Sequence, residues 1–293
     1  MTLFAPSTGV GATPAYAPAP PMAPCDINLA GTEAGGVQPI LLEALPDSAL
    51  ARGARYPDCR PLASLFASQL GIADECVLVT AGADEALERA CRTMLDAGRN
   101  AIVTDPTFEM IPRYVTLAGA ELRAARWPFG ALPIDQIVAL ADDRTSLVAI
   151  ASPNNPTGAV ATMGDIRRIH DAIPAALILL DLAYIEYAGD DITREALTLP
   201  RVVVTRTLSK AWGMPGIRVG YAAGAAEAIA WMRRPAIAGS RPRRRPSPAM
   251  SRLTCSQVRA NWSWSRMRAH GRRLSRRTFW RRQSTTLMPS WRW

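Results

Sequence analysis

One lysine stands in a chain whose other basic residues are all arginine. It is Lys210, within the segment TLSKAWGMPGIRVGY at 207–221, and Lys and Arg together number 34. An arginine side chain keeps its proton in proteins, whereas a lysine amine can lose its proton and act as a nucleophile. A lone lysine is more often a solvated surface residue. The surroundings of Lys210 therefore have to decide between a surface role and a chemical one.

The elements that would position Lys210 alternate along the chain from about residue 60 onward. Several apolar runs are continuous, which is typical of strands buried on both faces of a largely parallel sheet. Strand–helix alternation over this length predicts an α/β domain with helices on both faces of the sheet. The predicted strands are 76–80, 101–104, 146–151, 176–181, 201–206 and 217–223, and the predicted helices are 61–70, 83–97, 107–118, 133–141 and 162–171.

Polar residues follow the predicted strands, where open α/β sheets bind their ligands. Small residues at 82–84 open a helix whose free N–H groups suit an anion, and hydroxyls and a guanidinium near Lys210 suit a phosphate. Taken singly, each feature has a structural explanation: a turn, a helix cap, an ion pair or core packing. The candidates are Ala83, Asp84, Phe108, Asn155, Asp181, Tyr184, Thr207, Ser209, Lys210 and Arg218.

Together these residues supply a phosphate cradle, a flat aromatic ring, a fixed amide, a buried acid, a phenol and one amine. Pyridoxal phosphate needs this set, because a lysine forms its Schiff base and a carboxylate holds its pyridine nitrogen protonated. The motifs also resemble those of the fold-type I aminotransferases of class I/II, close to histidinol-phosphate aminotransferase. The resemblance covers about residues 26–232, with YPD at 56–58, GADEAL at 82–87, DPTF at 105–108, SPNNPTG at 152–158, DLAYIEY at 181–187 and the Lys210 segment.

The resemblance implies a three-layer α/β/α large domain with a mostly parallel seven-stranded sheet. It also implies a role for each matching residue. Lys210 forms the Schiff base and shuttles the proton, Asp181 pairs with the pyridine nitrogen, and Phe108 stacks on the ring. Asn155 and Tyr184 hydrogen-bond the ring hydroxyl. The phosphate is held by the backbone of Ala83 and Asp84, by Thr207, Ser209 and Arg218, and by Tyr56 of a neighbouring subunit, so a homodimer is expected.

The implied activity is transamination between an amino acid or amino-alcohol phosphate and a 2-oxo acid. Two alternatives stay open on the sequence. One is a pyridoxal-phosphate-dependent decarboxylase of amino-acid phosphates, which would use the same cofactor residues. The other is a non-catalytic binding protein that uses its basic C-terminal segment, because arginine interleaved with tryptophan suits nucleic acid. That segment has no recognisable nucleic-acid-binding motif, which makes nucleic acid the less favoured partner.

The sequence departs from the family at both ends. The substrate loop expected near the N-terminus reads Gly-Thr-Glu-Ala at 31–34, Leu182 replaces a frequent glutamate, and the family pattern stops after about Ala238. Residues 233–293 hold 17 arginines and no Asp or Glu. We interpret this segment as disordered or as an out-of-frame reading that replaces the small C-terminal domain. The predicted organisation is a Pro/Ala-rich disordered arm (1–25), an N-terminal small-domain segment with the substrate loop (26–55), the incomplete cofactor-binding large domain (56–238) and the Arg/Ser/Trp-rich tail (239–293).

Other protein classes find little support in the sequence. Five cysteines without a CxxC pair indicate neither a disulfide framework nor a zinc site. No metal is expected. No apolar run reaches transmembrane length, and the N-terminus lacks the pattern of a signal peptide. We therefore expect a cytoplasmic protein.

Overall fold

The computed structural model describes residues 8–14 and 58–235. Its centre is a seven-stranded sheet with the strand order β1-β7-β6-β5-β4-β2-β3. Strands β2 to β6 pair in parallel, whereas β7 runs antiparallel to both β1 and β6. The expected mostly parallel seven-stranded sheet is confirmed. The strands are β1 (Val77–Thr80), β2 (Asn100–Asp105), β3 (Glu121–Arg126), β4 (Thr145–Ala151), β5 (Leu177–Asp181), β6 (Val202–Thr207) and β7 (Gly220–Ala223).

Helices cover both faces of this sheet, because parallel neighbours need crossover connections. Two apolar cores result, one on each face. Leu179 and Val203 lie in the core under α3, and Ile178 and Val204 lie in the opposite core. The helices are α1 (Thr8–Ala12), α2 (Arg60–Leu70), α3 (Ala83–Met94), α4 (Met110–Leu117), α5 (Ile134–Ala139), α6 (Met163–Ala172), α7 (Thr193–Ala196) and α8 (Ala226–Met232).

Local sequence signals set several helix boundaries. Helix α6 starts with a capping box, in which the Thr162 side chain accepts from the Asp165 N–H and the Asp165 side chain accepts from the Thr162 N–H. Helix α2 begins with Pro61 in its first turn and ends at Gly71, whose left-handed conformation (φ 74°) lets the chain leave the helix. These boundaries are the ones that sequence signals predict best.

Other element predictions were wrong in detail. Residues 217–219 were predicted as strand, but Ile217 ends a 3-10 turn at Pro215–Ile217 and Arg218 is left-handed, so β7 starts only at Gly220. Strand β3 was missed because its sequence, ELRAAR, is polar and lies at the sheet edge.

The short helix α1 lies within the Pro/Ala-rich arm (1–25) that the sequence predicted to be disordered. It occupies a proline-free stretch, and its residue Gly9 packs so closely on α4 that an added Cβ would meet the Thr116 carbonyl oxygen at 2.7 Å. A close contact of this kind, which composition does not reveal, stabilises the helical turn.

Several sequence predictions fall on residues 15–57 and 236–293, outside the described residues. They include the substrate loop at 31–34, Tyr56 and the tail at 239–293. Among the residues that are described, no helix is both long enough and apolar enough to cross a membrane.

Candidate functional site

The candidate site lies at the carboxyl edge of the sheet. Strand β5 ends with Asp181, and β6 ends with Thr207, three residues before Lys210. Strand β5 pairs with β6 so that Asp181 stands opposite Thr205. The parallel pairing therefore brings the segments that follow β5 and β6 together, as the sequence predicted.

Asp181 is the buried acid of the site, with 5% of its surface exposed. The Thr205 hydroxyl donates to its Oδ1 atom at 2.7 Å, and the Ala183 N–H also donates to the carboxylate. Burial is the main influence and raises the pKa of Asp181 to about 6 against the lowering effect of these two hydrogen bonds and of Lys210. The site therefore holds a carboxyl group that a further positive partner would return to its ordinary acidity.

Lys210 lies across the ring face of Tyr184, with 5.6 Å between its Nζ atom and the ring centroid. This is cation–π distance. Both residues are partly buried. The surface role first considered for Lys210 is therefore replaced by a place beside Asp181 and Tyr184.

A cluster of donors surrounds the N-terminus of α3. Arg218 Nη1 donates to Ser209 Oγ at 3.2 Å, and Arg218 Nη2 lies 3.5 Å from Asp84 Oδ2. The Thr207 hydroxyl donates to Ser209 Oγ at 3.0 Å and accepts from the Ser209 N–H at 3.1 Å. Ala83 is the first residue of α3, so its free N–H group faces the same corner. These groups can bind a phosphate together.

Two glycines make this corner possible. Gly82 has φ 83° and ψ 179°, a backbone region open essentially to glycine alone, and a Cβ there would meet Arg218 Nη2 at 2.8 Å. At Gly220, on β7, a Cβ would lie 2.8 Å from the Ala83 nitrogen. The first turn of α3 thus rests directly on the backbone of β7, and Arg218 reaches it from the turn before that strand.

Asn155 and Phe108 follow β4 and β2 at the same edge, and both are partly buried. Phe108 packs against the core under α3. The neighbouring Asn154 secures the loop of Asn155, since its amide donates to the Pro106 carbonyl and to the Thr157 hydroxyl, each at 2.9 Å. Tyr56 lies outside the described residues, so its predicted role stays a prediction.

Sequence reasoning missed Thr205 and Glu85. Thr205 donates to Asp181, and its position one strand away shows only when the pairing is known. Glu85 accepts from the Ala81 N–H at 2.6 Å and from Arg89 Nε at 2.9 Å, and so fixes the loop before α3. A glutamate at the third position of a helix is a recognisable capping signal that could have found it.

A mostly parallel α/β sheet with a lysine, a buried acid and a phosphate-type cradle at its carboxyl edge is typical of cofactor-binding enzymes. The sequence profile of aminotransferase class I and II matches residues 38–257, which is most of the chain and runs past the residue 238 at which we placed the end of the family pattern. The chain therefore belongs to the class I and II aminotransferases.

Curated relatives match over part of their length. Histidinol-phosphate aminotransferase 1 from Bacillus cereus (strain ZK / E33L) is 35% identical over 183 residues, which cover 60% of this chain and 50% of the relative. Aromatic amino acid aminotransferase from Rhodococcus jostii (strain RHA1) is 37% identical over 218 residues, with 71% and 60% covered. The chain thus spans about half the length of the first of these relatives and three fifths of the second.

Solved structures share the fold. Histidinol-phosphate aminotransferase from Sinorhizobium meliloti, in complex with pyridoxal-5'-phosphate, aligns with a TM-score of 0.68 at 22% identity and covers 79% of this chain and 64% of its own. A tetra mutant of Thermus thermophilus aspartate aminotransferase aligns with a TM-score of 0.70 at 23% identity, covering 90% and 73%. At these identities the likeness shows the fold.

Proposed function

We propose that the chain binds pyridoxal phosphate at the carboxyl edge of its sheet and works as an aminotransferase. The observation that carries this proposal is that the lone lysine acts electrostatically on a buried carboxyl group, with Lys210 over Tyr184 and Asp181 held by Thr205. Family membership and the cofactor named for the Sinorhizobium meliloti structure support it.

The described residues fit this cofactor at both of its ends. Burial raises the pKa of Asp181 to about 6, so the carboxylate lacks a sufficient positive partner, and a protonated pyridine nitrogen would supply one. Arg218, Ser209 and the first turn of α3 form a corner that the close packing of Gly82 and Gly220 keeps free of side chains. A phosphate group fits such a corner.

When bound, pyridoxal phosphate supplies an electron sink for the carbanion formed at the substrate α-carbon. Lys210 would hold the cofactor covalently until a substrate amine replaces it, and its released amine would then move the proton to and from that carbon. Asp181 would keep the pyridine nitrogen of the cofactor protonated. Arg218, Ser209, Thr207 and the N–H groups of Ala83 and Asp84 fix the phosphate. In this proposal Phe108 packs on the ring and Asn155 and Tyr184 orient its hydroxyl.

The finer parts of the function are also proposals. We propose an amino acid or amino-alcohol phosphate as donor, a 2-oxo acid as acceptor, and a homodimer in which Tyr56 completes the neighbouring site. The relatives described above are named for histidinol phosphate and for aromatic amino acids. No feature of the described residues favours the decarboxylase alternative. The cytoplasmic location and the four-segment domain organisation remain predictions from sequence.

Borohydride reduction tests the cofactor assignment cleanly, because Lys210 is the only lysine. Reduction in the presence of pyridoxal phosphate should place the mass of the reduced cofactor on the peptide that contains Lys210. The control is Lys210→Arg, which keeps the charge and removes the reactive amine. An adduct found only on the N-terminal amine, or an unchanged yield in Lys210→Arg, would contradict the assignment. Product analysis with an amino donor then separates transamination, which gives a keto product, from decarboxylation, which gives an amine and CO₂.

A further inference from the structure

A buried ion-pair network lies on the face of the sheet opposite to Asp181. Its centre is Arg206, the residue between Thr205 and Thr207 on β6, and only 8% of its surface is exposed. Successive side chains of a strand point to opposite faces, so Arg206 points away from the acid that Thr205 holds. The site described above does not use this network.

Arg206 ties three segments together. Its Nη2 atom donates to Glu186 Oε1 at 2.6 Å, and its Nη1 atom donates to Thr193 Oγ1 at 2.7 Å and lies 3.3 Å from Asp191 Oδ2. The same Glu186 oxygen accepts a second hydrogen bond, from Trp212 Nε1 at 2.8 Å. One carboxylate oxygen thus joins a strand, the turn after β5 and the loop after β6.

The two loops joined at Glu186 are those that carry Tyr184 and Lys210. Glu186 comes two residues after Tyr184, and Trp212 comes two residues after Lys210. The Lys210 loop closes on itself through hydrogen bonds from the Gly213 N–H to the Lys210 carbonyl (2.9 Å) and from the Met214 N–H to Leu208 (3.1 Å). A shift of Trp212 would therefore move Lys210 relative to Tyr184.

Arg206 is a constant positive partner for Glu186, the residue that joins the two loops. Burial disfavours its charged form, but Tyr221, Glu186 and Asp191 outweigh burial and raise the pKa of Arg206 above its already high ordinary value. Removing one member of a buried pair leaves the other charge uncompensated. The guanidinium therefore holds Glu186 in one place throughout the working pH range.

We propose that Glu186 is a positioning residue, which sets the distance between the amine of Lys210 and the ring of Tyr184 through its hydrogen bond from Trp212. The role in catalysis rests on the proposed function, but the hydrogen bond from Trp212 to Glu186 that joins the two loops is present in the cofactor-free chain. The test must therefore measure the conformation of the Lys210 loop both with and without cofactor.

The decisive variant is Trp212→Phe, which keeps an aromatic ring but removes the indole N–H together with part of the ring system. Its control is Trp127→Phe, because this replacement removes the same ring atoms and an indole hydrogen bond, to Gly130 O at 3.1 Å, from a buried side chain of the same apolar core that does not contact Glu186 through a hydrogen bond. Hydrogen exchange is measured on the full cofactor-free chain at the amides of Gly213 and Met214. We expect about tenfold faster exchange in Trp212→Phe, the size of one hydrogen bond to a charged group, and a clearly smaller change in Trp127→Phe.

The second readout is the geometry of the bound cofactor. Visible circular dichroism per pyridoxal phosphate bound at saturation should fall in Trp212→Phe, and the reaction of the cofactor with Lys210 should slow by roughly tenfold. Glu186→Met, which removes the accepting oxygen, should do the same, and adding Trp212→Phe to it should change nothing further, since both act through one hydrogen bond. If Glu186→Met does not fold, the Trp212→Phe result alone decides.

Parent-like exchange at Gly213 and Met214 in Trp212→Phe, or equal changes in Trp127→Phe, would overturn the proposal and leave the network as a support of β6 alone. Faster exchange together with parent-like circular dichroism and reaction rate would also overturn it. A parent chain that forms no covalent bond at Lys210 would instead defeat the proposed function, and the exchange measurement would then decide the tie by itself.

Discussion

At the level of single residues, the raised pKa of Asp181 shows that the cofactor-free site lacks a sufficient positive partner for this carboxyl group. The carboxyl group is buried, accepts from Thr205 and Ala183, and still has a pKa raised to about 6. Since the ordinary value is 3.8, the folded cofactor-free protein binds this proton more tightly than the unfolded chain does. The stability supplied by the protonated form is therefore lost as the pH rises from about 3.8 to about 6.

We predict from this shift that Asp181→Asn stabilises the cofactor-free chain above pH 6. The shift corresponds to about 3 kcal/mol at full effect, and an amide does not have to lose a proton. Urea unfolding of parent and variant at pH 4 and pH 8 measures the difference, which should be small at pH 4 and large at pH 8. A variant that is less stable than the parent at pH 8 would show that Asp181 has another stabilising partner.

The same substitution should damage the proposed reaction. An amide cannot hold a protonated pyridine nitrogen, so proton removal at the substrate α-carbon should slow by several orders of magnitude, while the phosphate contacts still retain the cofactor. Single-turnover spectroscopy with an amino donor measures this step. Near-parent rates in Asp181→Asn would remove Asp181 from the role that we propose for it.

The α3–β7 contact is the feature that matters at the level of elements. Gly82 before α3 and Gly220 at the start of β7 let a helix N-terminus rest on a strand backbone, and Arg218 fills the space beside it. Helix N-terminus, guanidinium and hydroxyls then act on one anion. This arrangement depends on backbone approach more than on any single side chain.

We predict that Gly82→Ala weakens phosphate binding beyond its effect on stability. The new Cβ would meet Arg218 Nη2 at 2.8 Å, so the guanidinium has to move. Gly98→Ala is the control: Gly98 also has a positive φ (95°), but an added Cβ there meets no atom within 4 Å. Both variants should lose about 1–3 kcal/mol of folding free energy, and only Gly82→Ala should lose affinity for pyridoxal phosphate. Equal affinities in the two variants would exclude Arg218 from the cradle.

Subunit assembly and substrate choice are properties of the whole molecule. We predict that the neighbouring subunit's Tyr56 completes each site, a role that the sequence motif implies and that lies outside the described residues. Lys210→Ala subunits mixed with Tyr56→Phe subunits should regain tight cofactor binding in hybrid dimers, since one site per hybrid then contains both native residues. Each variant alone should bind the cofactor weakly.

The two variants are unfolded, mixed and refolded together, and titration with pyridoxal phosphate then measures this recovery. Mixing without recovery, under conditions in which size-exclusion chromatography shows hybrid dimers, would contradict a shared site. A chain that stays monomeric would contradict the homodimer itself. The parent refolded alone sets the affinity of a native site, of which each hybrid dimer has one.

The sequence by itself determined which groups stand at the carboxyl edge. Asp181, Asn155 and Lys210 each follow an apolar run, and parallel strands place such ends along one edge whatever their order. The fold class, the mostly parallel sheet and the family were therefore within reach of periodicity and motif. The lone lysine was informative because no other side-chain amine competes with it along the chain.

Only the tertiary structure decided which of these groups meet. Strand β7 inserts antiparallel between β1 and β6, and this placement brings Arg218 to the N-terminus of α3. The partner of Asp181 on β6 and the tie from Glu186 to Trp212 likewise join residues 24 and 26 positions apart. Local periodicity records the burial of each segment but not its neighbours, because strand order and buried charge pairing are set by packing between segments that are distant in sequence.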